Sequence, residues 1–307
     1  MHDLFPFQNL LYYFAIIYSN IITILVILYN KIDILVDCWC FQLTIKIIII
    51  IFLTIIIHGT ETLSYSIRLG GIRLKKIAVS LSLTGIVLLI ARTSNMFQAP
   101  LLGAIVDNAK VNASIDVLQV FRIALLSASA GTLLALFLYP TFTRLSMLMI
   151  KRLEIDGSVI SMMKMANIHK LKRTDTYVRR PRIQMLYRLR IGGIPKRIML
   201  INIIVTAIYT SGILAALYAS VLNPGHSATS NMATGVVNGV ATILLTIFLD
   251  PQIALMTERA LNEGDGDDKM AKTYAWLMVA RFFGTLLAQF LLVPSAVFIS
   301  WVSSVLV

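Results

Sequence analysis

His58, Glu61, Tyr65 and Arg68 follow one another at intervals of three, four and three residues. A helix of about 3.6 residues per turn therefore sets all four on one face. Their chemistry is that of anion binding and proton exchange. Arginine presents a planar fork of donors that matches phosphate oxygens, while histidine and glutamate titrate near accessible pH once their surroundings perturb them. The face follows an almost unbroken isoleucine run from Ile47 to Ile57. In a bilayer a charge at mid-depth costs about 2.5–3.5 kcal/mol on insertion scales, so such a face must point at protein or water. Two uses follow, a lined polar cavity or hydrogen-bonded packing against a neighbouring helix.

Other polar positions join this group. Arg92 and Asn95 share a helical face in the segment Ala91 to Pro100, where Pro100 is expected to end or break the helix; the alternative for Arg92 is to snorkel to the outer surface. Arg281, Thr285 and Gln289 recur every fourth residue, and Arg281 has three candidate partners: Glu61, Asp250 or an anionic head group. Asp250 and Pro251 mark a second expected helix break, with Asp250 alternatively capping a following helix, Gln252 to Leu261. The candidate cavity set is therefore His58, Glu61, Tyr65, Arg68, Arg92, Asn95 and Arg281. Pro100, Asp250 and Pro251 are the candidate gating or break positions. Two uncharged stripes, Asn202, Thr206 and Tyr209, then Asn231, Thr234, Asn238 and Thr242, read as helix-packing contacts.

Much chemistry is missing. No phosphate-binding Gly-rich lysine loop, zinc-type His-Glu-x-x-His pair or Gly-x-Ser-x-Gly elbow occurs. His2, His58, His169 and His226 fall in separate segments, so no metal site, cofactor or catalytic residue set is expected. Cys38 and Cys40 read as free thiols, with acylation near a membrane surface the lesser use.

These side chains need elements to hold them. With 58% hydrophobic residues in 307, the chain is too apolar for a soluble domain, and a bilayer span needs about 20 apolar residues. The expected spans are Leu10 to Tyr29, Thr44 to Leu69, Ile77 to Phe97, Phe121 to Thr143, Ile198 to Leu222, Met232 to Leu249 and Tyr274 to Val305. The fold class is all-α: a polytopic transmembrane bundle of six core spans plus one N-terminal span. The last span, containing Pro294, is long enough to tilt, kink or carry a surface piece.

The chain divides into an extension (1–43), a first three-span half (44–143), a basic loop (144–197) and a second three-span half (198–307). Three is odd, so the halves run in opposite topology, an arrangement common in transporters. The extension lacks a signal-peptide pattern and differs in composition from the rest, suggesting an added or misassigned start.

Most of the +12 net charge lies in 144–197. That loop is expected to be cytoplasmic, as are 68–76 and the acidic 250–272 connection, while 98–119 and 223–231 face outside. Its Met-rich amphipathic stretch, Leu145 to Ile168, suits the membrane interface. The expected partner of the loop is an anionic lipid surface, worth about 1 kcal/mol per Lys or Arg, and not nucleic acid. Protein partners are not indicated.

Three blocks resemble a known family. His58 to Arg73 (HGTETLSYSIRLGGIR), Ala91 to Gly103 (ARTSNMFQAPLLG) and Phe248 to Glu258 (FLDPQIALMTE) are similar to the alternate lipid II flippase family, Amj. The likeness runs from about Thr44 to the C-terminus; the extension before it departs from the family pattern. The resemblance implies transport of the undecaprenyl-pyrophosphate-linked peptidoglycan precursor, lipid II, across the bacterial cytoplasmic membrane for cell-wall synthesis. On that reading the head group enters past Arg68 and Arg281, passes Glu61 and Tyr65, and leaves near Arg92 and Asn95. His58 and Glu61 are the candidates for proton coupling. Residue types alone leave open a membrane enzyme acting on a polyprenyl pyrophosphate, an ion or small-solute transporter, and a scaffold recruiting partners through the basic loop.

Overall fold

The computed structural model describes residues 39–112, 115–157, 196–262 and 266–306. Within them every regular element is a helix, the answer to a solvent that cannot satisfy backbone N–H and C=O groups. The helices are α1 (Trp39–Arg73), α2 (Ile77–Val111), α3 (Val117–Asp156), α4 (Lys196–Leu222), α5 (Ser227–Leu244), α6 (Asp250–Asn262) and α7 (Gly266–Leu306). A short 3-10 turn, Pro224–His226, opens α5, and a π turn, Leu245–Leu249, joins it to α6. Counting Pro224–Asn262 as one passage, six helical spans among the described residues are long and apolar enough to cross a membrane. The expected Leu10 to Tyr29 span and most of the basic loop lie outside the described residues.

Residues Ile50–Val307 form one compact unit. In it α7 packs along α4 and against α3, and α4 also carries α5. Polar contacts pin these pairs: Asn202 Nδ2 donates to the Leu277 carbonyl (2.8 Å), Ser129 bonds Thr285 (3.0 Å), and Gln289 Nε2 donates to the Arg122 carbonyl (2.9 Å). Such interhelical bonds contribute roughly 0.6 kcal/mol each in a membrane protein.

Several helix ends differ from the sequence expectation. α2 does not stop at Pro100 but continues to Val111. Met96 and Pro100 both sit on its outer, uncovered face, so the missing N–H falls on one exposed turn and the rest of the helix retains its bonds. α3 likewise runs on to Asp156, absorbing the start of the expected amphipathic segment, and ends where Gly157 adopts φ 65° and donates its N–H to the Leu153 carbonyl. Asp250 does not cap the start of the following helix. Its φ of −60° and ψ of −44° are helical, whereas those of an N-capping residue are not. The π turn takes up the local misfit before Pro251, and the chain passes through without breaking.

Two glycines set the helix spacing around the polar face. A Cβ on Gly131 would stand 2.6 Å from the Ile55 carbonyl oxygen, and one on Gly284 would stand 2.8 Å from that of Ile203. Both obstacles are backbone, which cannot rotate away. Gly131→Ala and Gly284→Ala should each lower stability by about 1–3 kcal/mol, read as a drop in the thermal midpoint of detergent-purified protein. Gly85→Ala, with nothing within 4 Å of the new methyl, should instead be neutral or stabilising by about 0.5–1 kcal/mol.

Candidate functional site

The helical period that groups His58, Glu61, Tyr65 and Arg68 extends one turn upstream to Thr54. From Thr54 to Arg68 the face rises about 21 Å, two-thirds of a hydrocarbon core of about 30 Å. Gly59 and Gly131 let α3 approach α1 beside it, and α2, α4 and α7 contribute the facing side chains.

The centre is an ion pair between Glu61 of α1 and Arg281 of α7, with side chains only 16% and 13% exposed. Of the partners open to Arg281, the structure selects Glu61. The Arg92 charge also reaches Glu61, and Tyr209 of α4 lies in the field of Glu61, Arg281 and Arg92. Arg92 is exposed at the edge of the group. Towards the other end, Arg68 acts electrostatically on Asp250 and Tyr65. Tyr65 packs on Tyr274 with ring centroids 5.7 Å apart, and the Tyr274 hydroxyl is 3.3 Å from Thr257 Oγ1. Leu69, Ile72, Leu249, Ile253 and Met278 seal this end with apolar packing.

On the opposite side of the ion pair is a small chamber. Thr54, His58, Asn95, Gln98, Tyr209 and Thr210 supply its polar lining, and Ile57, Leu102, Leu125 and Leu214 are among its apolar walls. Gln98 Nε2 donates to Thr54 Oγ1 at 2.6 Å. The volume is about 50 Å³, room for roughly three or four water molecules. A substrate-sized cavity was expected here, but this chamber is too small for a pyrophosphate-linked head group.

Among the described residues, four buried polar atoms around the column have no protein hydrogen-bond partner: Arg68 Nε, Arg281 Nε, His58 Nδ1 and Thr210 Oγ1. Each such group costs about 1–3 kcal/mol when unmet. Unused guanidinium donors in a low-dielectric interior are suited to an anionic oxygen. Three arginines face two acids, Glu61 and Asp250, so the column carries a net positive charge open to an anion.

The structure thus gathers His58, Glu61, Tyr65, Arg68, Arg92, Asn95, Arg281 and Asp250 along one path, while Pro100 and Pro251 are exposed away from it. It adds Thr54, Gln98, Tyr209 and Thr210. Gln98 follows Asn95 at helical spacing and Thr54 precedes His58 at helical spacing, so both were within reach of the periodicity. Tyr209 belonged to a stripe read as packing. Asn202 and Thr206 do pack, against Leu277 and Gly284, but Tyr209 lines the chamber. No group of three or more potential metal-ligating side chains occurs among the described residues.

Comparison with known proteins covers this whole arrangement. Residues 53–303 match the family described as Amj, alternate to MurJ. The chain is also similar to the lipid II flippase Amj of Bacillus subtilis (strain 168), with 35% identity over 263 residues, covering 85% of this chain and 98% of the relative. No solved structure matches.

Proposed function

Because the chain belongs to the Amj family, the alternate to MurJ, we propose that its polar column is the path along which lipid II crosses the membrane. The protein is a lipid II flippase, a multi-pass protein of the bacterial cytoplasmic membrane, and it transports its substrate without making or breaking a bond. The observation that carries the mechanistic reading is the largely covered Glu61–Arg281 pair, flanked by Arg68 towards one end and Arg92 towards the other.

Lipid II joins a pyrophosphate to a large polar sugar-peptide head and a polyprenyl tail. The pyrophosphate is the part that an apolar bilayer resists most, and paired arginines replace its water with fixed donors. With the basic loop at the cytoplasmic side, Arg68 and Asp250 lie at the inner end of the column and Arg92 and Asn95 at the outer. The head enters past Arg68, transfers to Arg281 and leaves past Arg92, while the tail stays in lipid. The helices open to admit it. The span Pro224–Asn262 is the least covered by the rest of the chain and carries the π turn, so it is the element placed to move.

Arg144, Lys151, Arg152, Lys196 and Arg197 are exposed at the ends of α3 and α4 and meet anionic inner-leaflet lipid. Cells depleted of their principal lipid II flippase test the function. Expression of this chain should sustain growth and cell-wall synthesis; lysis at normal expression would remove the reading.

A further inference from the structure

We propose that head-group binding is coupled to protonation of Glu61: the pyrophosphate takes Arg281 from Glu61, and the released carboxylate takes up a proton. This inference rests on the pyrophosphate path proposed above. Its basis is geometric. Glu61 and Arg281 are each other's ion partners in a site where both side chains are largely covered. Arg281 holds Glu61 through Nη2 while its Nε is unpaired, so a phosphate that takes the Nε–Nη2 edge as a bidentate contact displaces the carboxylate. A released Glu61 anion would then stand in a low-dielectric interior beside the incoming negative charge, where both effects favour the neutral acid.

The surroundings decide where the proton goes. The groups acting on Glu61 are Arg281 from α7 and Arg92 from α2; His58 and Tyr65 lie on its own helix, and Tyr209 faces it from α4. None is a second carboxylate able to share the load, and Asp250 acts on Tyr65 and Arg68 instead. The proton reaches Glu61 by way of the chamber. It admits water but no head group, and His58 and Tyr209 in its wall stand next to Glu61 along the column. In the exchange a water-borne proton joins a Glu61 carboxylate oxygen, and the Arg281–carboxylate contact is replaced by an Arg281–phosphate contact. No other bond changes.

Calorimetric titration of the detergent-purified full chain with lipid II, repeated in buffers of different ionisation enthalpy, counts protons taken up on binding. The wild type should take up a proton per head group. Glu61→Gln should still bind and take up none, whereas Gly85→Ala, whose added methyl meets nothing within 4 Å, should bind with the uptake intact. Infrared difference spectra of the wild type should gain a protonated-carboxyl band on adding lipid II, a readout that survives even if Glu61→Gln folds poorly. Binding without proton uptake, or uptake that persists in Glu61→Gln, overturns the coupling alone. Absence of binding by the wild type overturns the pyrophosphate path with it.

Discussion

Arg281→Gln should abolish lipid II translocation and destabilise the protein by about 3–5 kcal/mol, because it leaves the Glu61 carboxylate buried without its cation. Adding Glu61→Gln to make the double variant should restore most of that stability, since a neutral pair no longer carries an uncompensated charge. Translocation should stay absent, because the central phosphate-binding fork is gone. The comparison separates two roles that a single substitution confounds. Thermal unfolding in detergent reads the first and liposome assays the second. A double variant that transports at the wild-type rate would reduce the ion pair to packing.

The second large effect belongs to the ends of the column. Arg68→Ala and Arg92→Ala should each cut translocation by roughly 10- to 100-fold, the loss of a charge-assisted contact worth about 1.5–3 kcal/mol. Insertion into the membrane, measured by the amount in the membrane fraction, should be unchanged. Among the described residues neither arginine forms an ion pair like the central one, so neither removal leaves a directly paired acid stranded. Arg68→Lys keeps the charge but loses the planar fork, and should recover only part of the rate. For Arg92 the result also decides between a substrate contact and simple snorkelling, which predicts little change. Normal transport by both alanine variants would remove the column as the route.

The same residues show how far reading the sequence reaches. Helical spans are legible because lipid enforces one rule everywhere, that backbone groups be satisfied internally, and hydrophobic length reports it directly. The polar face of α1 is legible for a related reason: His58, Glu61, Tyr65 and Arg68 share a local period, and a local period needs no knowledge of the rest of the fold. Pairing is different. Glu61 and Arg281 are separated by most of the chain, and nothing local distinguishes Glu61 from Asp250 as the partner. Helix ends are misjudged where a local breaker meets a long apolar context. Pro100 and Asp250–Pro251 carry strong stop signals, yet α2 passes through the first and a π turn absorbs the second. Tyr209 was obscured by its company, since two polar neighbours at helical spacing are packing residues. The narrowness of the chamber depends on how Thr54, Gln98 and Tyr209 meet across three helices, a relation absent from any one segment.

The most direct measurement is head-group translocation in liposomes that contain only the purified chain and labelled lipid II in one leaflet. The wild type should expose label on the opposite side far faster than protein-free vesicles, and the Arg281→Gln, Glu61→Gln double variant should match those vesicles. A wild type no faster than bare lipid would contradict the account at its centre.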